Sequence, residues 1–323
     1  MIRRRHLAAT LSAPLLLPAI ARAQPAWPDR AVRVVVPWAP GGSTDAVARL
    51  LQQRLSERIG QSIVIDNRGG ASGSIGAGAA AQAAPDGYTW LLAFDTQGVN
   101  PSLMRLPFDT INDFTPVALI ARGPMFLVTH KDKPFNTVQD WLAAARAAPE
   151  KITYATSGSG TLAHLAMTRL ANAGDFKVTH VPYRGGGPAT TAMLSGEIDC
   201  YMTNAVVVMP HIRAGILRPL AVTSAERWPG LPEIPTFAQV GLAGAESYTW
   251  WAFFGRAGTP EPIVAKMGDA LRATLREPAI STKIEELGAN VVASSPAELD
   301  AFLRAEIEKW GKVIRENDIR AEG

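Results

Sequence analysis

The sequence predicts an α/β protein, long enough for two lobes, built on mainly parallel sheets with helices on both faces. Three observations predict it. A strand–glycine loop–helix unit opens the chain at 32–58, strand-like and helical patterns alternate through the middle, and about 300 residues follow an N-terminal leader. The first unit sets the pattern. Val32, Val34, Val35 and Val36 form a β-branched run ended by Pro37-Trp38-Ala39-Pro40-Gly41-Gly42. Beyond it, Val47, Leu50, Leu51, Leu55 and Ile59 recur at the helical period. Ser43 or Thr44 suits that helix's cap, and Asp45 suits its positive end. Such a turn lets backbone N–H groups approach a guest, and an anion is the favoured one.

Residues 1–23 read as an export leader, with Arg3, Arg4 and Arg5 before an apolar stretch and Ala21-Arg22-Ala23 as the cleavage site. The arginine pair leaves the general secretory and twin-arginine routes both open. The apolar stretch is short and broken by two prolines, which argues against a membrane anchor. Without the leader's four arginines, 28 basic residues face 29 acidic ones, so a nucleic-acid partner has no electrostatic support. The single cysteine, Cys200, has no internal partner and lies in an apolar run, which reads as a buried, inert thiol.

After the first unit, strand-like runs are expected at 62–66, 88–94, 114–120, 125–130, 152–156, 177–183, 198–203, 217–223 and 250–256. Helical patterns are expected at 74–83, 138–147, 161–171, 189–194 and 206–214. The last third is mainly helical, at 261–276, 279–288 and 296–317, with a short strand at 290–293. Alternation of this kind points to parallel sheets.

Five loops follow strands in the same way: 37–45, 94–100, 157–161, 184–188 and the Thr203-Asn204 turn. Ligands of open α/β sheets sit beyond such strand ends, so facing lobes would enclose a polar, nearly uncharged cleft. For each loop alone, plain turn chemistry explains the glycines equally well. His164 reads first as a structural histidine, His180 and His211 as packing or surface residues, and Trp250 and Trp251 as core.

Enzyme chemistry finds little support. Gly158-Ser159-Gly160-Thr161-Leu162-Ala163 fits the permissive G-x-G-x-x-A dinucleotide pattern, but the next strand ends in Tyr183-Arg184 where a ribose-binding acid belongs. There is no Walker A, no G-x-S-x-G elbow and no H-E-x-x-H, and no His/Cys/carboxylate cluster suggests a metal. An exported nucleotide-dependent oxidoreductase is the remote alternative, and no cofactor is expected.

Ordered motifs along the mature chain carry a resemblance. They are Trp27-Pro28-Asp29-Arg30, the stretch from Val36 to Asp45, Asp66-Asn67-Arg68, Ala84-Pro85-Asp86-Gly87-Tyr88, Asn100-Pro101-Ser102-Leu103, His180-Val181-Pro182-Tyr183-Arg184-Gly185, Leu220-Ala221-Val222-Thr223-Ser224, Leu231-Pro232-Glu233-Ile234-Pro235-Thr236 and Ala257-Gly258-Thr259-Pro260. Together they resemble the substrate-binding proteins of tripartite tricarboxylate transporters, the Bug family. The resemblance implies a periplasmic-binding-protein (type II-like) fold whose two lobes close on a ligand. The leader at 1–23 would be followed by lobe 1 at 24–122 and 248–323 and lobe 2 at 123–247, crossing near Arg122 and Ser247. It implies a small organic carboxylate as ligand: a di- or tricarboxylate, an aromatic carboxylate or an amino acid. It further implies integral-membrane permease subunits as transient partners, with a monomer the simplest expectation and a sensor kinase the alternative client. By motif, Gly41, Gly42, Ser43, Asp45, Thr96 and Gln97 would line one side of the cleft. Ser157, Gly158, Gly160, His164, Gly186 and Thr203 would line the other. Two departures bear on the ligand: Asp95 stands where a small or hydroxyl residue is expected, and Thr203 where many members carry an acid. Asp95 either faces the cleft and selects a ligand with a positive or donor-rich group, or only caps a local turn.

Overall fold

The computed structural model describes residues 27–242, 246–317 and 319 of the 323; the leader read at 1–23 lies outside them. Strand β1 (Val32–Val36) passes through the glycine loop into helix α1 (Ser43–Ile59), which buries Val47, Leu51, Leu55 and Ile59 against the sheet. Next come β2 (Ile63–Asn67), a 3₁₀ turn (Ala71–Gly73), α2 (Ser74–Ala81), β3 (Thr89–Phe94) and α3 (Thr96–Leu103). Then follow β4 (Phe114–His130), α4 (Val138–Ala147), β5 (Thr153–Thr156), α5 (Leu162–Gly174), β6 (Thr179–Pro182) and α6 (Gly186–Leu194). The rest of the chain comprises β7 (Cys200–Asn204), α7 (Ala205–Arg213), β8 (Leu217–Val222), β9 (Tyr248–Arg256), α8 (Glu261–Leu275), α9 (Pro278–Glu286), β10 (Asn290–Val291) and α10 (Pro296–Glu316).

The strands run in the order β2-β1-β3-β9-β4-β7-β5-β6, with β8 and β10 also paired to β4. Parallel pairing holds where the alternation predicts it, between β1 and its neighbours β2 and β3 and between β5 and its neighbours β6 and β7. The centre is antiparallel, because β4 carries the chain from one sheet region to the other and β9 brings it back alongside. The two strand runs expected at 114–120 and 125–130 are therefore one 17-residue strand. Gly123 and Pro124 read as a break, yet Pro124 is the last residue paired with β9 and Met125 the first paired with β7. The missing proline N–H thus falls where the strand changes partners, and the ladder loses little.

Each sheet region has cores on both faces. In the first, Trp90 stacks on Phe253 at 5.7 Å, with Leu51, Met267 and Leu271 in the same cluster. In the second, Trp141 meets Phe176 edge-on at 5.1 Å, among Leu165 and Leu170. Helix α10 joins the two, since Leu299 and Leu303 pack in one core and Trp310 and Ile314 in another.

Helix α3 corrects the sequence reading, which treats 94–100 as a loop. The helix forms because α10 covers it: a Cβ on Gly98 would stand 3.1 Å from Glu306 Cβ and 3.4 Å from the Trp250 ring. Tertiary contact outweighs a weak local propensity.

Candidate functional site

The C-terminal ends of β1, β3, β5, β6 and β7 bring the five expected loops to one place. Helices α1, α3, α5, α6 and α7 start there from Gly42, Asp95, Thr161, Gly185 and Asn204, and no side chain caps any of them. Helices α4 and α10 instead carry complete capping boxes, Thr137 with Asp140 and Ser295 with Glu298. Three others, α2, α8 and α9, also start without a side-chain cap, the last two with proline in their first two positions. First-turn amides have no partner within their own helix, so the loop cluster concentrates hydrogen-bond donors and positive dipole ends.

The first loop is held by Asp45. One carboxylate oxygen accepts from the Gly41 N–H (3.0 Å) and from Arg49 (2.9 Å), and the other accepts from Asn67 Nδ2 (3.0 Å). Burial pushes this carboxyl up, but those three hydrogen bonds and the Arg49 charge hold it below the usual range. The carboxylate is committed to the loop, which corrects the expectation that Asp45 lines the cleft. Gly41, at φ +82°, takes the left-handed turn that brings its N–H to Asp45. Replacing Asp45 by alanine is expected to destabilise the protein by about 1–3 kcal/mol, read by urea unfolding, because it strands a loop N–H and frees Arg49. Unchanged stability would show that the loop holds itself.

The second loop is built around Gly158. Its carbonyl accepts from Thr156 Oγ1 (3.0 Å) and Thr161 Oγ1 (2.8 Å), and its N–H donates to Thr156 Oγ1. The Gly160 N–H donates to His164 Nδ1 (3.1 Å). The His164 ring stacks on His180 at 4.1 Å, which stacks on Tyr154 at 4.9 Å. Burial first, then the neighbouring His164, depress His180 to about 3, so it is neutral. His164 thus braces the loop from behind and is not part of the cavity wall, in keeping with its first reading as a structural histidine and not with the lining role the resemblance implies.

Between the loops lie two adjoining cavities, with about 10 and 20 Å³ of free space for a water centre. Each holds a water molecule at most. The two sides touch directly. Asn204 Nδ2 donates to Ser43 Oγ across the cleft (3.1 Å), and Ser72 Oγ donates to the Ser159 carbonyl (2.7 Å).

Of the residues expected at the site, Gly42, Ser43, Asp95, Ser157, Gly186 and Thr203 reach the cavity walls. Gly41, Asp45, Thr96, Gln97, Gly158, Gly160 and His164 do not; they shape the loops behind. Thr96 and Gln97 are buried in the first turn of α3. Sequence reasoning missed Trp38, Thr249 and Asn204 as wall residues. Trp38 and Asn204 lie within motifs it had singled out, whereas Thr249 sits inside an apolar strand with no local mark. Among the described residues, no lysine or arginine lines either cavity.

Asp95 is only 2% exposed, and its Oδ2 accepts from Thr249 Oγ1 at 2.6 Å. Burial chiefly, opposed by the Thr249 bond and reinforced by the charge of Glu306, raises its carboxyl to about 8. It occupies the position before α3. Cys200 is fully buried, and burial drives its thiol far up, as an inert thiol requires. Among the described residues, no three His, Cys, Asp or Glu are placed to hold a metal ion, and no helix is long and apolar enough to cross a membrane.

Residues 47–319 match the model of the tripartite tricarboxylate transporter family receptor. The chain is 36% identical over 321 residues to a Pseudomonas protein of the UPF0065 group, covering 99% of this chain and 96% of that protein. It is 33% identical to protein BugT of Bordetella pertussis, covering 90% of each. Among solved structures it is similar to the periplasmic binding protein BugD, with a TM-score of 0.88 and 32% identity over 92% of this chain and all of that one. A Rhodopseudomonas palustris protein solved with adipate gives a TM-score of 0.88 at 36% identity, over 92% of this chain and all of that one. MatC of the same species, solved with malate, gives 0.83 at 32%, over 89% of this chain and all of that one. The matched family is one of receptors, not enzymes. Sequence and fold agree, and the chain belongs to the receptor family of the tripartite tricarboxylate transporters, whose members are periplasmic.

Proposed function

We propose that this protein captures a small organic carboxylate in the periplasm and presents it, cleft closed, to integral-membrane permease subunits. The observation that carries the reading is the convergence of uncapped helix N-termini on a cleft with no cationic side chain. Such a cleft holds a carboxylate by backbone amides, hydroxyls and dipoles rather than by an arginine fork. The adipate and malate of the two Rhodopseudomonas structures support the same ligand class.

In this reading, 24–122 and 248–323 form one lobe and 123–247 the other, with β4 and the start of β9 as the two crossings. Closure expels water and strengthens every polar contact inside. Export depends on the leader at 1–23, cleaved after Ala23, and the protein works as a monomer that shuttles between ligand and permease. Thermal-shift measurement on refolded, ligand-stripped protein tests the reading, with tricarboxylates, dicarboxylates, aromatic carboxylates and amino acids as probes. A ligand at about a hundred times its Kd should add roughly 2.7 kcal/mol of stability and raise the melting temperature. No shift with any of these classes would overturn it.

A further inference from the structure

One of the two cavities sets a place for an anion against an acid. Helix α5 starts there without a side-chain cap, and Thr161, Leu162 and Ala163 of that start stand in the cavity wall. First-turn amides and the positive end of the helix dipole favour a carboxylate at such a point. Asp95 stands in the same wall, around about 10 Å³ of free space. Its Oδ2 accepts from the Thr249 hydroxyl at 2.6 Å, whereas its Oδ1 is buried and has no hydrogen-bond partner. A carboxylate drawn to the start of α5 therefore meets a second carboxyl group, and Oδ1 is the oxygen that group has to offer.

We infer that Asp95 works in this site as a carboxylic acid: Oδ1 carries a proton and donates it in a hydrogen bond to the carboxylate of the ligand, so that capture draws one proton from solvent whenever Asp95 is ionised beforehand. The inference rests on the carboxylate-capture reading and adds to it a named donor and a proton.

Two carboxylates in one small space repel each other unless a proton or a cation stands between them, and a shared proton turns the repulsion into a charge-assisted hydrogen bond. Among the described residues, no lysine or arginine lines the cavity to play the cation. Helix α10 acts on Asp95 through the negative charge of Glu306, whose Oε2 accepts from the indole N–H groups of Trp310 (2.8 Å) and Trp250 (3.3 Å). Lys309 lies beside Glu306 Oε1 at 3.5 Å and is not in the cavity wall. Strand β9 contributes the neutral Thr249 hydroxyl, and β4 and β7 contribute the neutral Met125, Thr203 and Asn204. On α5 the titratable group is His164, whose Nδ1 accepts from the Gly160 N–H behind the loop. The raised carboxyl of Asp95 agrees with the inference. Burial and Glu306 outweigh the Thr249 bond and the adjacent Thr96 N–H, so near neutral pH the proton is already in place. A ligand anion beside it holds that proton more firmly still.

Calorimetry on ligand-stripped wild-type protein tests the inference with succinate, malate, adipate and benzoate, whose own carboxyls are ionised at about pH 7 and above. For a probe that binds, titration at about pH 9 in buffers of different ionisation enthalpy counts the protons taken up, and about one per ligand is expected. Affinity should fall about tenfold for each pH unit above about 8, where Asp95 of the empty protein loses its proton. Asp95→Asn offers an amide N–H in place of the acid and has no proton to gain. Its binding should show no proton uptake and no pH dependence over the same range. Binding to the wild-type protein at about pH 9 without proton uptake would overturn the inference and leave carboxylate capture intact. Uptake that survives in Asp95→Asn would overturn it as well, since the proton would then sit on another group. Absence of binding by every probe would take down both readings. The proton count on the wild-type protein needs no variant, so a folding defect in Asp95→Asn does not shield the inference.

Discussion

Asp95→Asn is expected to stabilise the unliganded protein near pH 8, raising its melting temperature by several degrees. The wild-type carboxyl is 2% exposed, accepts from the Thr249 hydroxyl and is repelled by the charge of Glu306. An uncompensated buried charge costs about 3–5 kcal/mol, and asparagine removes the charge while keeping an acceptor for Thr249. The sign of the pH dependence follows. Asp95 titrates near 8 in the folded protein and near the ordinary 3.8 when unfolded, so between these values the folded state binds the extra proton. Its contribution to stability is full below about pH 4 and is lost as pH rises to about 8. The melting-temperature gap between variant and wild type should therefore widen from pH 5 to pH 8. A gap that is absent or constant would show that Asp95 is solvated or paired in solution.

Gly42→Val is expected to lower ligand affinity by roughly 10- to 100-fold, the effect of about 1–3 kcal/mol of overpacking at the closed contact. Gly42 sits opposite Gly186 across the cleft: a Cβ on Gly42 would stand 3.8 Å from Gly186 N, and one on Gly186 would stand 3.6 Å from Gly42 Cα. Alanine fits at ordinary contact distance, and the Gly42 backbone (φ −81°, ψ 172°) suits any residue. Valine adds two methyl groups where the facing backbone closes, so it props the cleft open without disturbing either core. Calorimetry with the carboxylate found by thermal shift would measure the loss. Small-angle scattering of the saturated variant should retain the larger radius of gyration of the open form. Wild-type affinity in Gly42→Val would show that the two glycines do not meet in the liganded protein.

Most elements were legible in the sequence because their cause is local. The valine run of β1 and the apolar stripe of α1 declare themselves through period and through turn residues. Helix α4 matches its expected limits because Thr137 and Asp140 form a capping box. Helix α3 and the unbroken β4 were not legible. Each contains a proline that local reasoning treats as a stop, and each persists because distant segments cover or pair with it. The site divides the same way. That glycine loops at strand ends gather donors was readable; that Asp45 and His164 turn back to brace those loops was not.

By itself, then, the sequence determined the α/β class, the glycine loops and the presence of a carboxylate, Asp95, where a neutral residue was expected. Periodicity, turn chemistry and residue identity are properties of short segments, so they survive without a structure. Only the tertiary structure decided which of those loop residues face the cavity, that β4 runs through both sheet regions, and that Asp95 is buried against Thr249. Those outcomes depend on pairing between residues far apart in the chain, such as Asn204 with Ser43 and Thr249 with Asp95, which no local pattern encodes.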